Sequence, residues 1–344
     1  MSCLWRVRSA GHSLVDVLTG VVLLGALSSI VLLAGGVTGR DSKEMVCLNN
    51  LRRIGYANLM YAAEDAGNAA LPVHKLQFQQ DPQNPTFIGA YEWGGKAGRG
   101  EPGYRPGPGG DQFFLTSRYG TMANFGPSTR PLNPIIYPGG FKDHNPGFSG
   151  FDRLGAANDT MLDLPIFRCP SDSGYTGNHC VAFRDEGLTS YDHYGTSYNA
   201  NNFMTSFVGG GPIYSNSPYL HRLSDIRNPK RTVAYQENAG RFAWAAPEPC
   251  DFLQPGLQGT SRGWHGKDWT FNAAFIDGHA DTIYMRSYTN PKIFEDVEDQ
   301  EGSRCIIIRG DRWQLDTLPT PRISTGLFYG GENRPSLEGC GTIA

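Results

Sequence analysis

His265, Asp277, His279 and Asp281 form the densest set of chemistry-bearing side chains in the sequence, within Trp264-His265-Gly266 and Phe275-Ile276-Asp277-Gly278-His279-Ala280-Asp281. Imidazole nitrogens and carboxylate oxygens at this spacing suit a divalent metal, because alternate residues of a strand share a face and a neighbouring loop brings in His265. The same groups suit acid–base work in hydrolysis. A structural reading competes with both. Asp277-Gly278 is a hairpin-turn signal, with Ala273 and Phe275 alternating before it and Ala280, Thr282, Ile283 and Tyr284 returning after it. His265 would then hydrogen-bond to the turn and lock the fold. The chain has no HExxH segment, so the structural reading is the expectation.

A second candidate is the run Glu295, Asp296, Glu298, Asp299 and Glu301. Close carboxylates repel unless a cation intervenes, and an oxygen-rich loop suits calcium. The EF-hand spacing is missing, and a solvated acidic loop is the simpler expectation.

The third candidate is Asp16, a single carboxylate at the start of a long apolar run. Residues 17–39 carry no charge, and about 23 residues at about 1.5 Å each make a helix of roughly 35 Å, enough to cross a bilayer core. Arg6 and Arg8 precede the run and Arg40 follows it; this bias places the N-terminus in the cytoplasm and the bulk of the chain outside. A carboxylate at such a position calls for a partner. The best one is a freshly exposed amino terminus.

The order of features here is a basic leader, Gly11, His12-Ser13-Leu14-Val15, an acid at Asp16 and then the apolar helix. It resembles a prepilin-type cleavage and methylation segment. The resemblance implies that a prepilin peptidase cuts between Gly11 and His12, methylates the new terminus, and leaves the apolar helix as both anchor and assembly stem. His12 stands where phenylalanine is usual, and Asp16 where glutamate is usual.

Composition bounds the remainder. A net charge of −3 with 18% charged residues gives no basic footprint, so nucleic acid is not an expected partner. Gly (44), Pro (23) and 12% aromatics read as short strands joined by many turns. Cys3 lies in the leader; Cys47, Cys169, Cys180, Cys250, Cys305 and Cys340 are an even set for an oxidising compartment, with their pairing open.

After Arg40, Cys47, Leu51, Ile54, Ala57 and Tyr61 recur at helical spacing, so the helix is expected to continue through about residue 66 and to lay one stripe on the exterior domain. Gly55 within it would let another backbone approach closely. Pro165-Ile166-Phe167, Thr232-Val233-Ala234-Tyr235 and Cys305-Ile306-Ile307-Ile308 read as strands. Residues 89–111 are dense in glycine and proline; they read as an insertion, or as an exposed loop offering Tyr91, Trp93 and Tyr104 to a partner.

Several exterior segments are similar to one large bacterial prepilin-like family whose C-terminal domain has no known function. They are Cys47-Leu48-Asn49-Asn50-Leu51, Cys169-Pro170-Ser171-Asp172, Ser197-Tyr198 through Asn201, Ser224-Asp225-Ile226 through Pro229 and Thr232 to Glu237, and His265 with Asp277-Gly278. The family's His-x9-Asp-Gly signature is two residues longer here. Because Cys47 and Cys169 both lie in family motifs, the resemblance implies that they pair and staple the helix to the sheet. Some secretion-system pseudopilins also carry a calcium site towards the C-terminus.

The expected architecture is α+β and pilin-like. Residues 1–11 form a cleaved leader, 12–39 a transmembrane and assembly helix, 40–66 its amphipathic continuation, and 67–344 a loop-rich, antiparallel β-rich extracytoplasmic domain. The expected role is a structural pseudopilin-like or surface-filament subunit of a type II secretion or type IV pilus-like system. Its partners would be the prepilin peptidase, like subunits and the inner membrane. The rivals are a membrane-anchored exterior hydrolase built on His265 and Asp277, and a carbohydrate-binding protein.

Overall fold

The computed structural model describes residues 42–76, 90–99, 119–147, 150–174, 189–201, 218–219, 221–240, 263–284 and 312–317, and the backbone alone of three further strands within 294–327. Gly11, His12 and Asp16, the segment 12–39, and Tyr104, Asp299 and Glu301 lie outside the described residues.

Helix α1 covers residues 42–64. The stretch has no proline and is rich in Leu, Met, Ala and Glu, which lose little freedom in a helix. It ends where Asn68 adopts a left-handed conformation (φ 52°) and donates its side-chain amide to the Ala62 carbonyl at 3.0 Å, satisfying one of the last free carbonyls. Cys47, Leu51, Ile54 and Ala57 form its buried stripe, while Met45, Tyr56 and Met60 face outward. Full burial of Leu51 or Ile54 contributes about 1.5–3 kcal/mol each.

The stripe rests on a four-stranded antiparallel sheet in the order β1 (Tyr198–Ala200), β2 (Val233–Glu237), β3 (Thr270–Phe275) and β4 (Ala280–Tyr284). Every residue of β2 is buried, so Val233, Ala234 and Tyr235 are followed by a Gln236 and a Glu237 that are buried as well. Tyr235 and Glu237 share one of its faces, and the register shifts between Val233 and Tyr235. On that face, the Tyr235 hydroxyl donates to Asn58 Oδ1 of α1 at 2.6 Å, and Asn58 donates to the Ala70 carbonyl. The β3–β4 hairpin turns at Asp277-Gly278, with the Gly278 amide donating to the Phe275 carbonyl at 2.9 Å.

Three readings are corrected. Pro165–Phe167 is a 3₁₀ turn and not a strand; proline opens it, and its fixed φ suits the first position of a helical turn. Tyr91 and Trp93, which the alternative reading of residues 89–111 offers to a partner on an exposed loop, are each 1% exposed. Trp93 lies 4.4 Å from the Tyr235 ring, and Tyr91 stacks on Tyr194 at 3.7 Å. The glycines beside them serve close packing. Gly95 (φ +100°) meets the Gly195 carbonyl, leaving no room for a Cβ. The guanidinium of buried Arg130 fastens the segment by donating to the carbonyls of Tyr91, Gly94, Phe125, Tyr119 and Tyr194.

The acidic run also differs from its expected loop. Glu295, Asp296 and Glu298 belong to strand β5 (Phe294–Glu298), which pairs with β6 (Arg304–Ile308) on one side and β7 (Arg322–Leu327) on the other. The backbone there is laddered on both edges and is not a loop.

Candidate functional site

Four elements converge at the end of β2. Helix α1 supplies Cys47, and the turn after the 3₁₀ segment supplies Cys169. Strand β2 ends on Glu237, and the loop before β3 carries His265.

Cys47 and Cys169 form a disulfide across a sequence separation of 122. Asn50, one turn further along α1, donates to the carbonyls of Pro165 and Arg168 at 2.9 and 3.0 Å. The Cys169 amide donates to Ser197 Oγ at 3.0 Å. Asp172 completes the Cys-Pro-Ser-Asp segment as a half-buried acceptor, taking Ser197 Oγ–H at 2.6 Å and the amides of Gly174, Ser190 and Tyr191. Burial pushes its carboxyl pKa up against the downward pull of these bonds.

His265 Nε2 lies 2.7 Å from Glu237 Oε1. Since a carboxylate only accepts, Nε2 carries the proton when the ring is neutral; this tautomer is assigned from the contact. Asn272 holds the carboxylate from the neighbouring strand, its side-chain amide 3.0 Å from Oε1 and its backbone amide 3.1 Å from Oε2. Asn272 is itself oriented by Thr282, whose hydroxyl donates to Oδ1 at 2.8 Å. The His265 loop is tied down at both ends. Trp264 Nε1 donates to the Gly174 carbonyl at 2.7 Å, and Lys267 Nζ meets both Glu44 oxygens of α1 at 2.8 and 3.0 Å.

Cys169 Sγ is 3.8 Å from His265 Nε2 and 3.9 Å from Glu237 Oε1. One ligand atom from each of Cys47, Cys169, Glu237 and His265 lies within 4.8 Å of all the others. This set is two sulfurs, one nitrogen and one oxygen, and every member is buried.

The candidate set His265, Asp277, His279 and Asp281 is not assembled. Among the described residues, the only convergent ligand group contains His265 without the other three. His265 also does not lock the hairpin turn; its partner is Glu237. The turn is locked locally, because Asp277 Oδ1 accepts from the His279 backbone amide and meets His279 Nδ1, and the His279 ring stacks on Phe275 at 4.3 Å. Asp281 pairs with Arg312 across 3.5 Å at the surface.

Glu237 is the residue sequence reasoning missed. Its signal is an acid at the fifth position of Val233-Ala234-Tyr235-Gln236-Glu237, which puts a carboxylate on the same face as Tyr235. A second overlooked spelling, Gly259-Thr260-Ser261-Arg262-Gly263, matches the nucleophile pattern Gly-x-Ser-x-Gly. That pattern needs a turn opening into a helix, whereas Gly263 leads through turns into β3.

No protein-family model, no curated protein and no solved structure matches the chain. Among the described residues no helix is long and apolar enough to cross a membrane, and the apolar segment 12–39 lies outside them.

Chemically the site can join elements, exchange disulfide for dithiol, and offer ligands to a soft cation. It is not open to a substrate: His265 is 2% exposed and Glu237 0%.

Proposed function

We propose that this chain is a structural pseudopilin-like subunit, anchored by residues 12–39 and processed between Gly11 and His12, whose exterior domain is carried rigidly on α1. It would act in a type II secretion or type IV pilus-like system, with like subunits and the inner membrane as its partners. The sequence of the leader, Asp16 and the apolar run supports the processing. The observation that carries the reading is the fastening of α1, which follows the apolar segment in the chain. A disulfide, the Asn50 bonds and the Glu44–Lys267 pair tie it to the loops beside the sheet, and the Asn58–Tyr235 bond and a buried apolar stripe tie it to the sheet itself. A stem that must transmit position from a membrane assembly to an outer domain needs such a joint.

The rival hydrolase reading loses support because its proposed histidine is buried against Glu237 and is not assembled with Asp277. The carbohydrate-binding reading loses support because Tyr91 and Trp93 are core residues.

Asp16→Ala tests the assembly role. Cross-linking in membranes should show higher-order species for the parent chain and a clear loss of them in the variant, at equal abundance. Unchanged assembly would refute the pairing of Asp16 with a neighbour's amino terminus.

A further inference from the structure

The fold brings two cysteines, a histidine and a glutamate together from four separate elements, and the disulfide uses only half of that donor set. We propose that in the dithiol state Cys47, Cys169, Glu237 and His265 bind one zinc ion, so that disulfide and zinc are alternative occupants of the same joint.

The donor set fits the cation. Two thiolates with an imidazole select zinc over calcium or magnesium, which take oxygen ligands. Zinc–ligand bonds of about 2.3 Å to sulfur and about 2.0–2.1 Å to nitrogen and oxygen place tetrahedral sulfurs about 3.8 Å apart and sulfur about 3.5 Å from nitrogen. Cys169 Sγ already stands 3.8 Å from His265 Nε2 and 3.9 Å from Glu237 Oε1. The movements required are separation of the sulfurs once their bond is broken, placement of Cys47 Sγ, which lies within 4.8 Å of the other ligand atoms, about 3.5 Å from the nitrogen and oxygen, and a widening of the His265–Glu237 contact from 2.7 Å to about 3.4 Å.

The surroundings also fit. Asn272 orients the Glu237 carboxylate through two hydrogen bonds, which is the outer-shell support a ligating carboxylate needs. Ligation through Nε2 moves the ring proton to Nδ1. That atom is buried and without a partner among the described residues, so the metal bonds must outweigh the cost of an unmet N–H there and replace the Nε2–Glu237 hydrogen bond.

The steps balance. A dithiol reductant gives two electrons and two protons to the Cys47–Cys169 bond and becomes a disulfide. Zinc binding to the two thiols then releases both thiol protons to solvent. In reverse, a disulfide-bearing oxidant takes the two electrons from the zinc-bound thiolates, takes up two protons from solvent and becomes a dithiol, while the sulfurs re-form their bond and zinc departs. Either occupant joins α1 to the Cys169 turn, and zinc would add Glu237 at the end of β2.

The test uses the full chain in detergent, reduced anaerobically with a phosphine, freed of reductant, and offered zinc alone. Because the chain has other cysteines, Cys47→Ser is the reference. Reduced parent protein should hold one more zinc per chain than reduced Cys47→Ser, and oxidised parent protein should lack that zinc. Cobalt in its place should give a thiolate charge-transfer band and tetrahedral visible bands. Glu237→Gln, whose oxidised form is first checked for native circular dichroism, should bind about tenfold more weakly or worse. Equal zinc in the reduced parent and Cys47→Ser overturns the proposal. So does a reduced parent chain that loses its fold and does not recover it with zinc.

Discussion

Gly55 of α1 and Gly278 of the β3–β4 turn meet backbone to backbone: a Cβ built on Gly55 would lie 2.9 Å from the Gly278 carbonyl oxygen. Gly278 needs its own freedom from a side chain, at φ +89° and with Leu59 and Tyr56 of α1 against it. Two glycines far apart in sequence thus set how closely the helix approaches the sheet.

Gly55→Ala should therefore destabilise the protein. Alanine gains about 1 kcal/mol in helix propensity, but the atom it meets is backbone and cannot swing aside, and overpacking costs about 1–3 kcal/mol. Denaturant unfolding should show a net loss, with Gly55→Leu worse. A variant more stable than the parent would mean that the contact is absent.

The Cys47–Cys169 bond closes a loop with a sequence separation of 122, so most of its effect falls on the unfolded chain. Cys47→Ala with Cys169→Ala should lose about 2–5 kcal/mol, measured by denaturant unfolding with a chelator present. A loss below about 1 kcal/mol would show that Asn50, Asn58 and the apolar stripe hold α1 unaided.

The hairpin turn, the strand at Val233, the cysteine pair and the close approach at Gly55 are all legible in the sequence. In each case the signal is local, or is carried by the family resemblance. The His265–Glu237 pair is not legible there. His265 has carboxylates at Asp277 and Asp281 nearer in sequence, and only the antiparallel register that sets β2 beside β3, with Glu237 against Asn272, reveals its true partner. Tyr91 and Trp93 mislead for a different reason. Glycine density is the same signal whether it gives freedom or allows tight packing, and at Gly95 it allows packing.

His74 gives a pH prediction. Its ring is buried, packs edge-on to Phe125 at 4.8 Å and accepts from the Leu76 amide at 3.2 Å. Burial, with Arg130 and Lys75 nearby, lowers its pKa to about 4. The unfolded chain takes up the proton near pH 6.5 and the folded chain only near 4, so stability falls as pH drops through that window. The loss is about 3 kcal/mol at the lower end. His74→Asn, whose side-chain oxygen can still accept from Leu76, should flatten that part of the stability curve relative to the parent. Parallel curves from about pH 7 to about pH 4 would contradict the assignment.

Anchoring and assembly both depend on what happens at Gly11, and mass spectrometry of the N-terminus of the protein from its native membrane tests this most directly. Prepilin-type processing predicts a mature chain that begins at His12 with a methylated α-amine. A chain with Met1 intact, or one cut after the apolar run near Ala34-Gly35-Gly36, would contradict it.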